Sequence, residues 1–189
     1  MLAKASHLLA HGQADLRTLL TGGDRRSLAR SARALALIEA HPARIAELAR
    51  LATDIDGLVS MRAMDLLEKI AHSHPERVQP HKQLFIGPLA DSERWEIRLQ
   101  VVRALPLLNW TPGERRRVIE ILRRDLRHVQ KFVRAWALDS LAIFACGDAG
   151  LRRVVLRHAR AFESSGSKSL ATRARLVRER LSHAAVHSR

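Results

Sequence analysis

WEIRLQVVRALPLLNWTPGERRRVIEILRRDLRHVQKFVRAWALDSLAIFA, residues 95–145 of this 189-residue chain, contains the pattern that decides the fold. Its two ends are alike: I-R-L-Q-V-V-R-A-L at residues 97–105 aligns with V-R-A-W-A-L-D-S-L at residues 133–141. The matched arginines, Arg98 and Arg134, are 36 residues apart (134 − 98), a spacing typical of helical repeats. Both segments carry apolar residues at three- and four-residue intervals, which predicts an amphipathic helix in each.

The segment between these two helices begins with a helix-start signal. Thr111 can accept a hydrogen bond from the amide of Glu114, and Glu114 can reach back to the amide of Thr111. Pro112 occupies the first turn, where no amide donor is needed. Four further helices are predicted to start at acidic residues that can cap them: Asp24, Asp56, Asp91 and Asp148.

The bulk composition favours an all-α protein. The chain is 47% hydrophobic, contains no tyrosine, and shows no sustained strand-like alternation. No apolar run approaches the roughly 20 residues that a membrane span requires, and residues 1–13 lack the apolar core of a secretory leader. The single cysteine, Cys146, excludes an internal disulfide and fits a reducing compartment. We therefore expect a cytoplasmic protein, a monomer, with Cys146 as a small buried residue.

Taken in order, the predicted helices form five pairs. They divide the chain into repeats at roughly 1–40, 42–73, 75–108, 111–145 and 148–185, which together form one domain over residues 1–189. No pair can bury its apolar stripe alone, so neighbouring pairs must stack. Leu105 and Leu141 occupy core-spaced positions in the central repeats.

The second helices of these pairs share a further motif. Arg30, Arg62 and Arg98 follow Asp24, Asp56 and Asp91 by six or seven residues. In this respect the chain resembles the HEAT-repeat family, and residues 58–69, LVSMRAMDLLEK, resemble small bacterial HEAT-like proteins of unknown role. The resemblance implies a right-handed α-solenoid of about five HEAT-like pairs, with the second helices lining its concave face.

The net charge of +14 is concentrated in the second half of the chain. Residues 95–189 contain 20 Lys and Arg against 8 Asp and Glu, a net charge of +12, whereas residues 1–94 carry +2. Such asymmetry predicts an acidic partner for the second half, which could be nucleic acid, an acidic protein surface or a membrane surface; of these we expect an acidic protein or nucleic acid. The alternative is a coding bias, since only five of the basic residues are lysines and arginine also suits solvated helix faces.

The second helices supply the candidate binding residues. If they line the concave face, as the resemblance implies, a basic surface there would comprise Arg98, Arg103, Lys131, Arg134, Trp136 and Arg173. We predict a non-catalytic binding or scaffold module that uses this basic C-terminal half.

No catalytic or cofactor motif is assembled in the sequence. There is no glycine-rich phosphate loop, no His-Glu-x-x-His and no Cys-x-x-Cys, so we expect no cofactor and no metal. His72, His74 and His81 are the best metal candidates, but His72 and His74 flank a predicted helix end, where imidazole suits the negative dipole.

One enzymatic alternative remains open. The chain more distantly resembles the HEAT-like alkylpurine DNA glycosylases, which are small, basic and helical and place Trp and Asp side chains over a damaged nucleotide. Trp136 and Asp139 are the residues that this resemblance would implicate. The alternative to a protein-binding scaffold is thus a nucleic-acid-binding protein, with a glycosylase as its enzymatic extreme.

Overall fold

The computed structural model describes residues 15–24 and 30–186, with side chains to His183. In this part of the chain there are eleven α-helices and no strand, which confirms the all-α prediction. The helices of the first half are α1 (Leu16–Leu20), α2 (Ser31–Ala40), α3 (Ile45–Leu51), α4 (Gly57–Ser73), α5 (Pro75–Val78) and α6 (Gln83–Ile86). Those of the second half are α7 (Trp95–Ala104), α8 (Pro112–Asp125), α9 (Lys131–Phe144), α10 (Ala149–Glu163) and α11 (Lys168–Val186).

The chain forms two compact units, which meet in sequence between Leu66 and Leu67, within α4. In the first unit α1 packs against α2 and α3, and the buried core includes Leu16, Leu20 and Leu48. The prediction of a single domain over residues 1–189 stays a prediction.

The first unit also buries an arginine. The side chain of Arg62, on α4, is 2% exposed, and its Nη1 and Nη2 donate to the carbonyl oxygens of Leu20 (2.6 Å) and Asp24 (2.9 Å). Leu20 is the last residue of α1, so its carbonyl is one of those that a helix leaves without an internal partner. A buried guanidinium therefore satisfies the end of a neighbouring helix.

In the second unit α9 occupies the central position, because it packs against α7, α8, α10 and α11. Its inner face buries Val133, Leu138 and Leu141 completely. The hydroxyl of Ser140 donates to the carbonyl oxygen of Val102 on α7 (2.5 Å). The second helices α7, α9 and α11 thus pack side by side, and the core positions predicted for Leu105 and Leu141 are confirmed.

Most of the predicted helix starts are also confirmed. Thr111 and Glu114 form the complete capping box at the start of α8. Asp148 accepts from the amide of Leu151 (2.8 Å) at the start of α10, and Asp56 accepts from Leu58 (2.9 Å) at the start of α4. The cap predicted at Asp24 concerns a helix whose first residues lie outside the described part of the chain.

Two local predictions were wrong. Asp91 does not cap α7: the helix starts four residues later, and the Asp91 carboxylate instead accepts from Arg124 of α8 (2.6 Å). Cys146 is exposed rather than buried, because it follows the last turn of α9, where the chain leaves the core at Gly147.

A contact that recurs inside successive helix pairs was not predicted. Arg115 of α8 donates to the carbonyl oxygen of Phe144 at the end of α9 (2.7 Å), and Arg152 of α10 donates to that of Leu181 in α11 (2.9 Å). Both contacts span 29 residues. We call this contact the arginine clasp, and it shows that part of the arginine excess serves the fold.

Candidate functional site

The candidate site is built on the row of second helices. The indole ring of Trp136 on α9 lies between two guanidinium groups, those of Arg103 on α7 and Arg173 on α11. Their Cζ atoms are 4.9 Å and 3.9 Å from the ring centroid. We call these three residues the arginine–tryptophan stack. Stacking on an indole stabilises a guanidinium by about 0.5–2 kcal/mol and fixes its plane.

Buried carboxylates hold the two stacked arginines from the side. Glu68, 1% exposed, lies 2.9 Å from Nη2 of Arg103. Asp139, 6% exposed, lies 3.6 Å from Nη1 of Arg173 and 3.2 Å from Nη2 of Arg180. Three arginines therefore share two carboxylates, so the cluster retains a positive charge.

The stacked arginines keep access to solvent. The side chains of Arg103 and Arg173 are 28% and 26% exposed, and Trp136 is half-buried. Nη1 of Arg103 donates to Oε1 of Gln100 (3.1 Å) and Nη2 lies against Glu68. Each terminal nitrogen carries two N–H groups, so the N–H groups that these contacts leave over remain for a ligand at the guanidinium edge. This edge matches a carboxylate or a phosphate in a two-point contact.

The structure brings together three of the six predicted binding residues and separates the others. Arg98 is paired with the buried carboxylate of Asp125, on α8. Lys131 Nζ lies 5.4 Å from the ring centroid of Phe132, a half-exposed neighbour on α9. Arg134 lies with its Cζ 6.0 Å from the ring centroid of Phe162 on α10.

The pair formed by Arg98 belongs to a larger network between repeats. Arg124 also donates to Asp125 (3.0 Å) and links it to Asp91 (2.6 Å). Burial, together with the nearby charge of Arg124, lowers the pKa of Arg98. Asp125 is 1% exposed, so its pair with Arg98 is an internal connection between α7 and α8, whereas Arg124 and Asp91 extend the network to the surface.

The other tryptophans have packing roles. Trp95 of α7 stacks on Phe132 of α9, with ring centroids 6.5 Å apart, so it packs between repeats. Trp110 donates from Nε1 to the carbonyl oxygen of Leu105 (2.7 Å) and packs beside Lys82.

Sequence reasoning missed Glu68 and Arg180 as members of the cluster. Glu68 follows Met64, a core residue, by one helical turn, and a carboxylate at a core-spaced position is a signal for a buried pair. Arg180 carries no comparable signal, because its carboxylate partner is 41 residues away.

Two of the histidines singled out in the sequence lie beside single carboxylates in the described residues. In residues 15–24 and 30–186, no three His, Cys, Asp or Glu side chains are grouped as metal ligands. His72 contacts Glu68 and His74 contacts Glu76. No helix in that same part of the chain is long and apolar enough to cross a bilayer.

Comparison with known proteins identifies the fold. No protein-family model and no curated protein matches the chain. An engineered protein solved by the Northeast Structural Genomics Consortium superposes with a TM-score of 0.61 at 22% identity, covering 87% of this chain and 78% of that one. A designed armadillo repeat protein in complex with the peptide (KR)4 gives a TM-score of 0.59 at 18% identity, with coverages of 87% and 79%.

A third similar structure, a computationally designed armadillo repeat protein for modular peptide recognition, gives a TM-score of 0.60 at 18% identity. The superposition covers 87% of this chain and 79% of the designed protein. At these identities the likeness concerns the fold alone. The chain is therefore an all-α helical-repeat solenoid, as the sequence predicted.

Proposed function

We propose that this chain is a non-catalytic binding module whose arginine–tryptophan stack engages an acidic segment of a partner protein. The observation that carries the proposal is the position of Trp136 between Arg103 and Arg173, because it joins residues of three successive second helices. Solenoids use such rows of equivalent helices as extended binding surfaces.

The charge of the partner follows from complementarity. A designed repeat protein of the same fold is known in complex with (KR)4, a basic peptide. The half of this chain that contains the stack carries +12, so it would attract an acidic peptide and repel a basic one.

A protein partner fits the stack better than a nucleic acid does. The Trp136 ring already contacts the guanidinium groups of Arg103 and Arg173, so a base that stacks there would have to compete with an arginine. The glycosylase alternative needs Asp139 to act at a base, whereas its carboxylate is held by Arg173 and Arg180.

We also propose that the repeats are HEAT-like and wind as a right-handed solenoid of five pairs. HEAT repeats contain two helices and armadillo repeats three. Each of the last two predicted repeats contains two: α8 with α9, and α10 with α11.

A peptide-binding experiment tests the proposed function. Fluorescence anisotropy would compare a labelled peptide of alternating Asp and Glu with (KR)4, using the wild type, Arg103→Gln/Arg173→Gln and a control, Arg94→Gln/Arg175→Gln. Arg94 and Arg175 are exposed arginines of the same two repeats. We expect only the acidic peptide to bind, and the stack variant to bind it at least about tenfold more weakly, as the loss of charge-assisted hydrogen bonds implies.

The control separates a specific surface from bulk charge, because both double variants remove two positive charges. Equal weakening by the two variants would contradict the proposal. Tight binding of duplex or single-stranded nucleic acid, lost on changing Arg103 and Arg173, would instead identify the partner as a nucleic acid.

A further inference from the structure

A second cationic feature lies between the first helices α8 and α10. A cavity of about 290 Å³ opens there, and Val154 is its one apolar lining residue. The rest of its lining is cationic or titratable: Arg123, Arg124, Arg127, Arg157 and His158. None of these residues belongs to the arginine–tryptophan stack.

Three of the four arginines have no compensating partner. Arg124 is neutralised by Asp125 and Asp91. In contrast, Arg123, Arg127 and Arg157 are exposed, and among the described residues no carboxylate, carbonyl or aromatic ring pairs with them. Guanidinium groups that converge without an anion repel one another, and this arrangement is typical of a site whose anion comes from a ligand.

The arginine charges affect the pKa of the histidine in the cavity. Burial lowers the pKa of His158, and the positive charges of Arg157, Arg127 and Arg123 lower it further. The imidazole packs edge-on against Phe162, with centroids 6.3 Å apart. The charges of all three uncompensated arginines therefore reach the same imidazole at the cavity wall and disfavour its protonation.

We propose that this cavity binds a phosphate group. Three guanidinium groups and an imidazole N–H supply the donors that a multiply charged tetrahedral oxyanion accepts, whereas a single carboxylate would be served by one arginine. The cavity lies at the small end of the range for ligand sites and lacks the apolar walls that hold a large organic group. The site does not depend on the function proposed for the stack.

The phosphate can be free or carried by a small organic molecule. Two probes separate these sources: inorganic pyrophosphate, which is phosphate chemistry alone, and a nucleoside 5′-monophosphate, which adds a sugar and a base. Saturable binding of either probe at one site would support the proposed phosphate site. Binding of pyrophosphate but not of the nucleotide would indicate that the ligand is a free anion.

Calorimetric titration of the full chain at low ionic strength tests the proposal with matched variants. Arg127→Gln/Arg157→Gln removes two charges from the cavity, and Arg116→Gln/Arg153→Gln removes two exposed charges from α8 and α10 outside it. All four positions are exposed, so both variants should fold, which circular dichroism would check. We expect the cavity variant to bind at least about tenfold more weakly and the control within about threefold of the wild type.

His158 supplies a second, site-specific measurement. An anion bound among the arginines offsets their repulsion, so the imidazole pKa followed by NMR should rise when the probe is added. Replacing Arg127 and Arg157 should raise it even without the probe. The proposal is overturned if neither probe binds saturably, if both double variants weaken binding equally, or if the His158 titration does not move with the probe.

Discussion

Replacing Arg62 with methionine tests whether a buried guanidinium stabilises the first unit. The substitution keeps most of the side-chain volume, since methionine fills irregular space well, but it removes the donors to the carbonyl oxygens of Leu20 and Asp24. A neighbouring control is Arg50→Met, which removes one charge from an exposed position on α3.

The expected cost follows from the two lost contacts. A hydrogen bond from a charged donor contributes about 1.5–3 kcal/mol, so two contribute about 3–6 kcal/mol. Relief of the desolvation cost of a buried charge offsets part of this, and the Asp24 contact is only partly buried. We expect a net loss of about 3 kcal/mol for Arg62→Met, and less than about 0.5 kcal/mol for the exposed control.

Hydrogen exchange followed by mass spectrometry measures this loss of stability in the first unit itself. The three tryptophans, at positions 95, 110 and 136, are all in the second unit, so their fluorescence does not report on α1. A loss of 3 kcal/mol should speed exchange in α1 and the start of α4 by about 100-fold. Exchange in α1 that differs from the Arg50→Met control by less than a few-fold would refute the reasoning.

Three further predictions concern the second unit. Leu141→Ala should lower the free energy of unfolding by about 2–5 kcal/mol in urea denaturation, because Leu141 is fully buried, whereas Ile143→Ala, at a 42% exposed position, should cost far less. Hydrogen bonds from Lys82 first, and then from Thr111 and Gln83, lower the pKa of Glu114 from 4.5 to about 2, so Glu114 stabilises the fold above pH 4.5 and this stabilisation is lost as pH falls toward 2. The difference in Tm between wild type and Glu114→Gln should therefore shrink over that pH range. Incubation with alkylated DNA should release no base, and excision that disappears in Asp139→Asn would instead support a glycosylase.

Features encoded within one turn of chain were predictable from sequence. The capping box at Thr111 and the cap at Asp148 depend on neighbours three residues away, and the apolar spacing of α9 placed Leu141 in the core. The 36-residue offset between Arg98 and Arg134 then indicated the repeat. Local chemistry together with this one long period therefore sufficed for the fold class.

Features that depend on contacts between helices were not predictable in the same way. Asp91 was expected to cap α7, but Arg124, 33 residues later, binds its carboxylate. Arg98 and Arg134 occupy equivalent sequence positions, yet one meets a buried aspartate and the other a phenylalanine ring. A sequence pattern gives the face on which a side chain lies, whereas its partner depends on which residues the neighbouring helix presents.

The arginine clasp has a consequence for how such a chain can lengthen. Its donor and its acceptor both lie inside the same helix pair, Arg115 with Phe144 and Arg152 with Leu181. A tandem duplication of residues 111–145 would therefore copy the donor and the acceptor together, and the inserted helix pair would contain its own arginine clasp. The links to adjacent repeats, such as Arg98 to Asp125 and Arg180 to Asp139, would be kept on the two outer sides, and only the junction between the two copies would be new. Growth by whole pairs is thus the change in length that this architecture tolerates best.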